Sequence, residues 1–216
     1  MTWLSENLAT LGDLTARHLI LAGVPLLLGL LLAIPLGYAA HRWPRAYTPL
    51  VTTSGLLYTI PSLALFILMP LLLGTRILDP VNVVVAMTVY TVALLVRTVA
   101  DGLRSVPADV ERAAAAMGLG ALRRFATVEL PLAVPVIGAG LRVAAVSNVS
   151  IVSVASLIGV PQLGDLLTDG YNRVIVDELL IGMLACILLA LALDTLIRLL
   201  TRTLSPWQHL APGAAT

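Results

Sequence analysis

Few residues in this chain could do covalent or acid–base chemistry. The three histidines, His18, His41 and His209, lie in three different regions, and none stands at metal-ligand spacing from a carboxylate. No nucleophile–base arrangement is visible. The loop G-x-x-x-x-G-K-[ST] is missing, so the chain cannot hold a nucleotide by that device. The single cysteine, Cys186, lies inside an apolar run and allows no intrachain disulfide. The polar chemistry that remains is non-covalent and falls in three places. Residues 111–135, ERAAAAMGLGALRRFATVELPLAVP, set Glu111, Arg112, Arg123, Arg124 and Glu129 between long hydrocarbon-like stretches. Further on, Arg142, Ser147, Asn148, Ser150 and Ser153 interrupt an apolar run. The three serines recur every third residue, enough for one helical face, with Asn148 beside it. Last, Asp165 and Asp169, four apart, precede Tyr171, and together they offer negative charge and an aromatic face to a cation.

The elements that carry these residues belong to a membrane. Of the 216 residues 59% are apolar and 12% charged, and the mean hydropathy is +0.98. A soluble domain carries about a quarter charged residues, so the main solvent of this chain is lipid. The length suits a single membrane domain over 1–216. The net charge of +1, with no basic patch and interleaved aromatics, gives no sign of nucleic-acid binding. All thirteen basic residues are arginine. The N-terminus lacks a basic region before its first apolar run, which argues against a cleaved signal peptide.

Five segments reach the roughly 20 apolar residues needed to cross the hydrocarbon core, at about 19–40, 50–73, 81–100, 132–158 and 179–200. The expected fold is therefore an all-α integral membrane protein of about five transmembrane helices. Pro25, Pro35, Pro61 and Pro70 lie inside the first two spans, as expected of kinked helices packed in a bundle. Nine arginines flank or occupy one side of these spans (Arg42, Arg45, Arg97, Arg104, Arg112, Arg123, Arg124, Arg198 and Arg202), and three the other (Arg17, Arg76 and Arg173). By the positive-inside rule the 111–130 stretch and the C-terminus face the cytoplasm and the N-terminus faces out. The last residues, from Ser205, read as a short frayed tail.

Within the cytoplasmic region 105–131, Ser105 reads as an N-cap, Pro107 falls in the first turn, and Asp109 and Glu111 favour the positive end of a helix dipole. Ala113 to Ala116 continue the helix and Gly118 ends it. A second helix runs from about Ala121 to Leu130, and Pro131 stops or kinks it before the fourth span. Four alanines leave one flank almost free of side chains, open to close approach by another surface. In the fourth and fifth spans Arg142 needs a partner. Asp194 could supply it, or could pair locally with Arg198 at i, i+4. Tyr58 and Tyr90 read as packing residues.

The stretch resembles the cytoplasmic signature of ABC importer permeases, in which Glu-Ala-Ala, three residues, Gly, nine residues, Ile-x-Leu-Pro follow one another. Ala113 and Ala114 match the two alanines, Gly118 the glycine, Val128 the isoleucine, and Leu130–Pro131 the close. Arg112 stands where the family has its glutamate, and Glu111 one place earlier, so either could make the family's polar contact. "TIPSLALFILMPLLLG", "LPLAVPVIGAGLRVAAV" and "ASLIGVPQLGDLL" are similar to the glycine betaine/carnitine/choline permeases and extend the resemblance over most of 50–170. The resemblance implies a type I importer core with a cytoplasmic coupling helix, and residues Glu111, Arg112, Ala113, Ala114, Gly118, Leu130 and Pro131 at the ATPase contact. It implies as partners two cytoplasmic ATPases that bind ATP and Mg, a second permease subunit (the same chain or a paralogue) and an extracytoplasmic substrate-binding protein. It implies no cofactor in this chain, and a small quaternary ammonium solute. On that reading Arg142, Ser147, Asn148, Ser150 and Ser153 line the translocation pathway, and Asp165, Asp169 and Tyr171 the outer mouth. An importer of another solute, such as an amino acid, shares the signature. A helix lying on the inner leaflet would explain the elbow without a partner, although residues 107–118 have no apolar stripe to bury. A secondary transporter would show inverted repeats or midplane carboxylates; neither is visible.

Overall fold

The computed structural model describes residues 7–207. His209 and most of the expected tail lie outside them. The described residues form nine α-helices: α1 Leu8–Arg42, α2 Pro44–Tyr58, α3 Ser62–Leu73, α4 Pro80–Arg104, α5 Ala108–Ala116, α6 Ala121–Arg124, α7 Leu130–Val152, α8 Gly164–Asn172 and α9 Val176–Leu204. A π turn, Phe125–Glu129, joins α6 to α7, and a 3₁₀ stretch, Ser153–Ile158, follows α7. Helices α1, α4, α6–α7 with its 3₁₀ end, and α9 are each long and apolar enough to cross a membrane.

Helix α4 is the axis of the bundle. Asp79 caps it by accepting a hydrogen bond from the Val81 N–H, 3.0 Å, and Pro80 takes the first helical position, where its missing N–H costs nothing. In lipid, apolar contact alone does not drive helices together, and small residues that allow close approach do. Helix α1 presents such a face: Ala22, Gly29, Ala33, Gly37 and Ala40 are all buried. A Cβ added at Gly37 would lie 2.5 Å from Val99 Cγ1, so α1 and α4 touch nearly backbone to backbone. Asn148 of α7 closes the three-helix junction. Its Nδ2 donates to the Ala22 carbonyl, 3.2 Å, and to Thr91 Oγ1, 3.0 Å.

At the far end from the elbow, His18 is fully buried, its Nδ1 2.8 Å from Gln162 Oε1 and its Nε2 3.0 Å from the Val149 carbonyl. Gln162 Nε2 donates to the Ser153 carbonyl, 3.2 Å, and its Oε1 accepts from the Gly164 N–H, 2.6 Å. The contacts to the Val149 and Ser153 carbonyls serve groups at the point where α7 tightens into the 3₁₀ stretch.

Three local expectations are corrected. The apolar segment 50–73 is not one helix. It begins at Pro44 and breaks at Thr59–Pro61 into α2 and α3, bent by 101°. Pro61 itself is extended (φ −60°, ψ 129°), and a proline there disfavours α geometry at Ile60 and has no N–H to continue the α2 ladder. The Tyr90 hydroxyl donates to the freed Ile60 carbonyl, and its ring meets Tyr58 edge-on at 5.8 Å. Ser105 does not cap α5 but closes α4, its hydroxyl donating to the Gly102 carbonyl at 2.7 Å; Pro107 occupies the cap position. Of the two outcomes expected at Pro131, a stop or a kink, the stop does not occur. Through the π turn before it, helical winding continues from Ala121 to Ile158 over 38 residues.

Replacing Gly37 by Leu is expected to cost about 1–3 kcal/mol by overpacking. The purified variant should lose its monodisperse gel-filtration peak at a lower temperature than wild type. Gly23→Leu, where an added Cβ meets nothing within 4 Å, serves as control. Equal stability of the two variants would contradict the close α1–α4 contact.

Candidate coupling elbow and translocation face

The elbow is built from the end of α5. Gly118 adopts φ +81°, a left-handed conformation open to glycine at little cost. The Gly118 N–H donates to the Ala115 carbonyl, 3.0 Å, and the Leu119 N–H to the Ala114 carbonyl, 3.2 Å. This is the Schellman closure that sequence spacing leads one to expect. Ala114 is buried beneath the helix, while Ala113, Met117 and Leu122 are exposed, the last two at 74% and 76%.

Glu111 and Arg112 point to different partners. Glu111 leans toward the bundle, its Oε1 3.9 Å from His41 Nε2 on α1. Arg112 is 77% exposed and reaches only Asp109, 2.5 Å away and itself exposed. That surface pair adds little stability. Leu130 and Pro131 are not on α5 at all. They open α7, and Leu130 packs on the core cluster formed by Leu95, Val99 and Ala133.

Between elbow and bundle stands an element that the sequence reading missed. In the π turn the Leu130 N–H reaches back five residues to the Phe125 carbonyl. Glu129, 2% exposed, accepts from Arg124 Nε at 2.7 Å. The Phe125 ring packs on Tyr38 of α1, centroids 4.4 Å apart. The one local signal was the five-residue spacing of Arg124 and Glu129 ahead of a proline.

On the face of α7 toward α9, Arg142 grips Asp194 with two bonds, Nε to Oδ1 at 2.7 Å and Nη2 to Oδ2 at 2.9 Å. This selects Asp194–Arg142 from the two pairings the sequence allowed; the fork geometry favours a bidentate carboxylate. The pair opens on a groove of about 390 Å³ lined also by Ala139, Val143, Val146 and Ser147. A second groove of about 290 Å³ shares Val146 and continues past Ser150 and Ser153 to Met183 and Cys186. Ser147, Ser150 and Ser153 thus share a face with Arg142. Asn148 does not: it points the other way, into the α1–α4–α7 junction.

Asp165 and Asp169 lie on α8, and Tyr171 is exposed near its end. Burial, reinforced by the charge of Asp169, pushes the Asp165 carboxyl up to about 6. Among the described residues no group of three or more His, Cys, Asp or Glu is placed to hold a metal ion.

Long apolar helices, buried polar junctions and a charged elbow that continues into a helix long enough to span the bilayer are the features of a multi-pass membrane protein. Residues 26–209 match the family described as binding-protein-dependent transport system inner membrane component, and the chain belongs to that family. It is 35% identical over 207 residues to the osmoprotectant import permease protein OsmW of Salmonella typhimurium, covering 94% of this chain and 96% of that one. It is 28% identical to the glycine betaine/carnitine/choline transport system permease protein OpuCB of Bacillus subtilis, covering 95% and 94%. To the choline permease protein OpuBB of the same organism it is 29% identical, covering 89% and 87%. A chain of the MetNI methionine ABC transporter, solved in inward-facing conformations, superposes with a TM-score of 0.83 at 17% identity, over 92% of this chain and 98% of that one. The two share the fold of a type I ABC importer permease.

The raised Asp165 carboxyl has a stability consequence. The folded state holds this proton more tightly than the unfolded chain, whose carboxylate titrates at about 4. The protonated form therefore stabilises the fold at low pH, and that contribution is lost as pH rises from about 4 through about 6. Asp165→Asn stays neutral, so in detergent it should unfold at a higher temperature than wild type at about pH 7, with the difference shrinking at about pH 4. A pH-independent difference would contradict the assignment.

Proposed function

We propose that this chain is the membrane-spanning half of an ATP-driven importer of quaternary ammonium osmoprotectants such as glycine betaine, choline or carnitine. The names of the relatives that match it over almost its whole length support this solute class. The carrying observation is mechanical. The elbow presents Arg112 on α5, Met117 at its end and Leu122 on α6 to solvent, and α5 is tied through the Gly118 turn to a continuous 38-residue helical segment that crosses the bundle. A surface that grips α5 therefore moves a transmembrane helix.

In this reading the elbow and the C-terminus face the cytoplasm, and the N-terminus faces out. The elbow docks on an ABC ATPase, present in two copies, which holds ATP and Mg and supplies the hydrolysis. Arg112, with Met117 and Leu122 beside it, makes the outward contact, and Ala113 lets the partner approach the backbone. Glu111, turned toward His41, serves the permease itself. A second permease subunit faces the α7–α9 groove, so that Arg142, Ser147, Ser150 and Ser153 line the pathway between them. Asn148 holds that wall in place from behind. A substrate-binding protein delivers solute at the α8 end, where Asp165, Asp169 and Tyr171 lie, and the ATPases' closure on ATP switches the bundle between inward- and outward-open states.

Gly118→Asp tests the docking. An added Cβ there meets open space, and aspartate, like asparagine, accepts the left-handed backbone, so the variant differs chiefly by a new charge on the docking face. The chain should still insert, but uptake of radiolabelled glycine betaine should be lost. Gly118→Asn, which tolerates that backbone and adds no charge, should retain uptake. Normal uptake in Gly118→Asp would overturn the assignment.

A further inference from the structure

The Arg124–Glu129 pair has an unusual spacing. A straight α-helix turns about 100° per residue, so residues five apart point about 140° away from each other and cannot pair. In π winding the N–H of residue i+5 bonds the carbonyl of residue i, which brings those two residues nearly over one another. Arg124 and Glu129 are five apart and 2.7 Å from each other across such a turn. The ion pair is therefore compatible with the π register and not with the α register. Pro131, two residues on, has no N–H to give the Thr127 carbonyl the bond that α winding would need, so α geometry has little advantage here. The Thr127 hydroxyl adds a contact of its own, donating to the Arg123 carbonyl at 2.7 Å. A second carboxylate lies on the neighbouring element: α5 packs against the π turn, and its Glu111, 3.9 Å from His41, adds its negative charge to the field at Arg124.

We infer that Arg124 and Glu129 are positioning residues that hold a helix-register hinge between the elbow and α7, and that Glu111 is the rival carboxylate which releases it when α5 moves. With Arg124 on Glu129, the π turn is held and the elbow keeps its present phase relative to the transmembrane rod. With Arg124 drawn to Glu111, the turn is free to rewind, and the elbow turns against the rod by up to one residue's rotation, about 100°. Release strips the buried Glu129 of its arginine, which is costly, so the pair holds the π turn until α5 moves. It also gives Glu111, which does not face outward, a role in coupling. The inference rests on the docking of α5 proposed above, but its first readout needs no ATPase.

The test is a distance measured by pulsed EPR between nitroxides at Ala121 on the elbow and Leu200 on α9, both exposed, in a Cys186→Ser background in lipid nanodiscs. On a helix of radius about 5–6 Å a full one-residue rotation moves a side chain by about 8 Å. Glu129→Gln, without nucleotide or partner, should shift or broaden the distance distribution by up to that amount and should lose glycine betaine uptake in cells. An unchanged distance with normal uptake would overturn the inference. Because Glu129 is buried, a second variant covers the case in which Glu129→Gln fails to insert. Glu111→Gln keeps the Arg124–Glu129 pair, so in the assembled transporter the distance should no longer respond to ATP, and uptake should fall. A normal ATP response and normal uptake in Glu111→Gln would remove the exchange. If Glu129→Gln shifts the distance while Gly118→Asp transports normally, the hinge stands and the docking reading is the one that fails.

Discussion

A polar group inside hydrocarbon has no water to fall back on, and this requirement organises the molecule. The elements that depart from regular helix each bring a partner with them. Where α2 breaks, Tyr90 takes the Ile60 carbonyl. Where α7 tightens, His18 and Gln162 meet the Val149 and Ser153 carbonyls. Where a charge enters α7, Asp194 meets it with two bonds. Where the rod opens into a π turn, Arg124 and Glu129 pair across it. Apart from the local Arg124–Glu129 and Gln162–Ser153 contacts, these bonds tie elements distant in sequence, so the same bonds that satisfy polar groups also fix the bundle.

That arrangement divides the chain into a tight half and an open half. Helices α1 and α4 meet along small residues and leave little room to move. Helix α9 is the least buried of the long helices and shares with α7 a face of serines, an ion pair and shallow grooves. The elbow joins the open half through the π turn and touches the tight half through Tyr38 and His41. Force applied to α5 thus has two routes into the bundle, one along the α7 rod and one across to the end of α1. On the proposed docking, the relative stiffness of these routes decides how far the grooved face opens.

Much of this was legible in the residues. Apolar length gave the long helices, because crossing hydrocarbon demands it. Gly118 after four alanines gave the elbow turn, since a left-handed residue must close that helix. Local physics sufficed in both cases. The break at Pro61 was harder: Pro25, Pro35 and Pro70 sit inside helices, and the Tyr90 hydroxyl that meets the Ile60 carbonyl at the break comes from thirty residues away. His18 and Gln162 lie 144 positions apart, and nothing local pairs them. Asn148 stands among the serines in sequence, but it turns inward, where the Ala22 carbonyl and the Thr91 hydroxyl, both remote in sequence, satisfy its amide. The Arg124–Glu129 pair went unread for a related reason: its spacing has meaning only once π winding is assumed.

The central claim is that a cytoplasmic ATPase grips α5. A photo-crosslinking amino acid at Met117, which is 74% exposed on the elbow, would report what lies against it in native membranes. The account predicts a covalent adduct with an ATP-binding-cassette ATPase, identified by mass spectrometry after irradiation. Adducts with lipid alone, under every nucleotide condition, would contradict it and would make the elbow a helix resting on the inner leaflet.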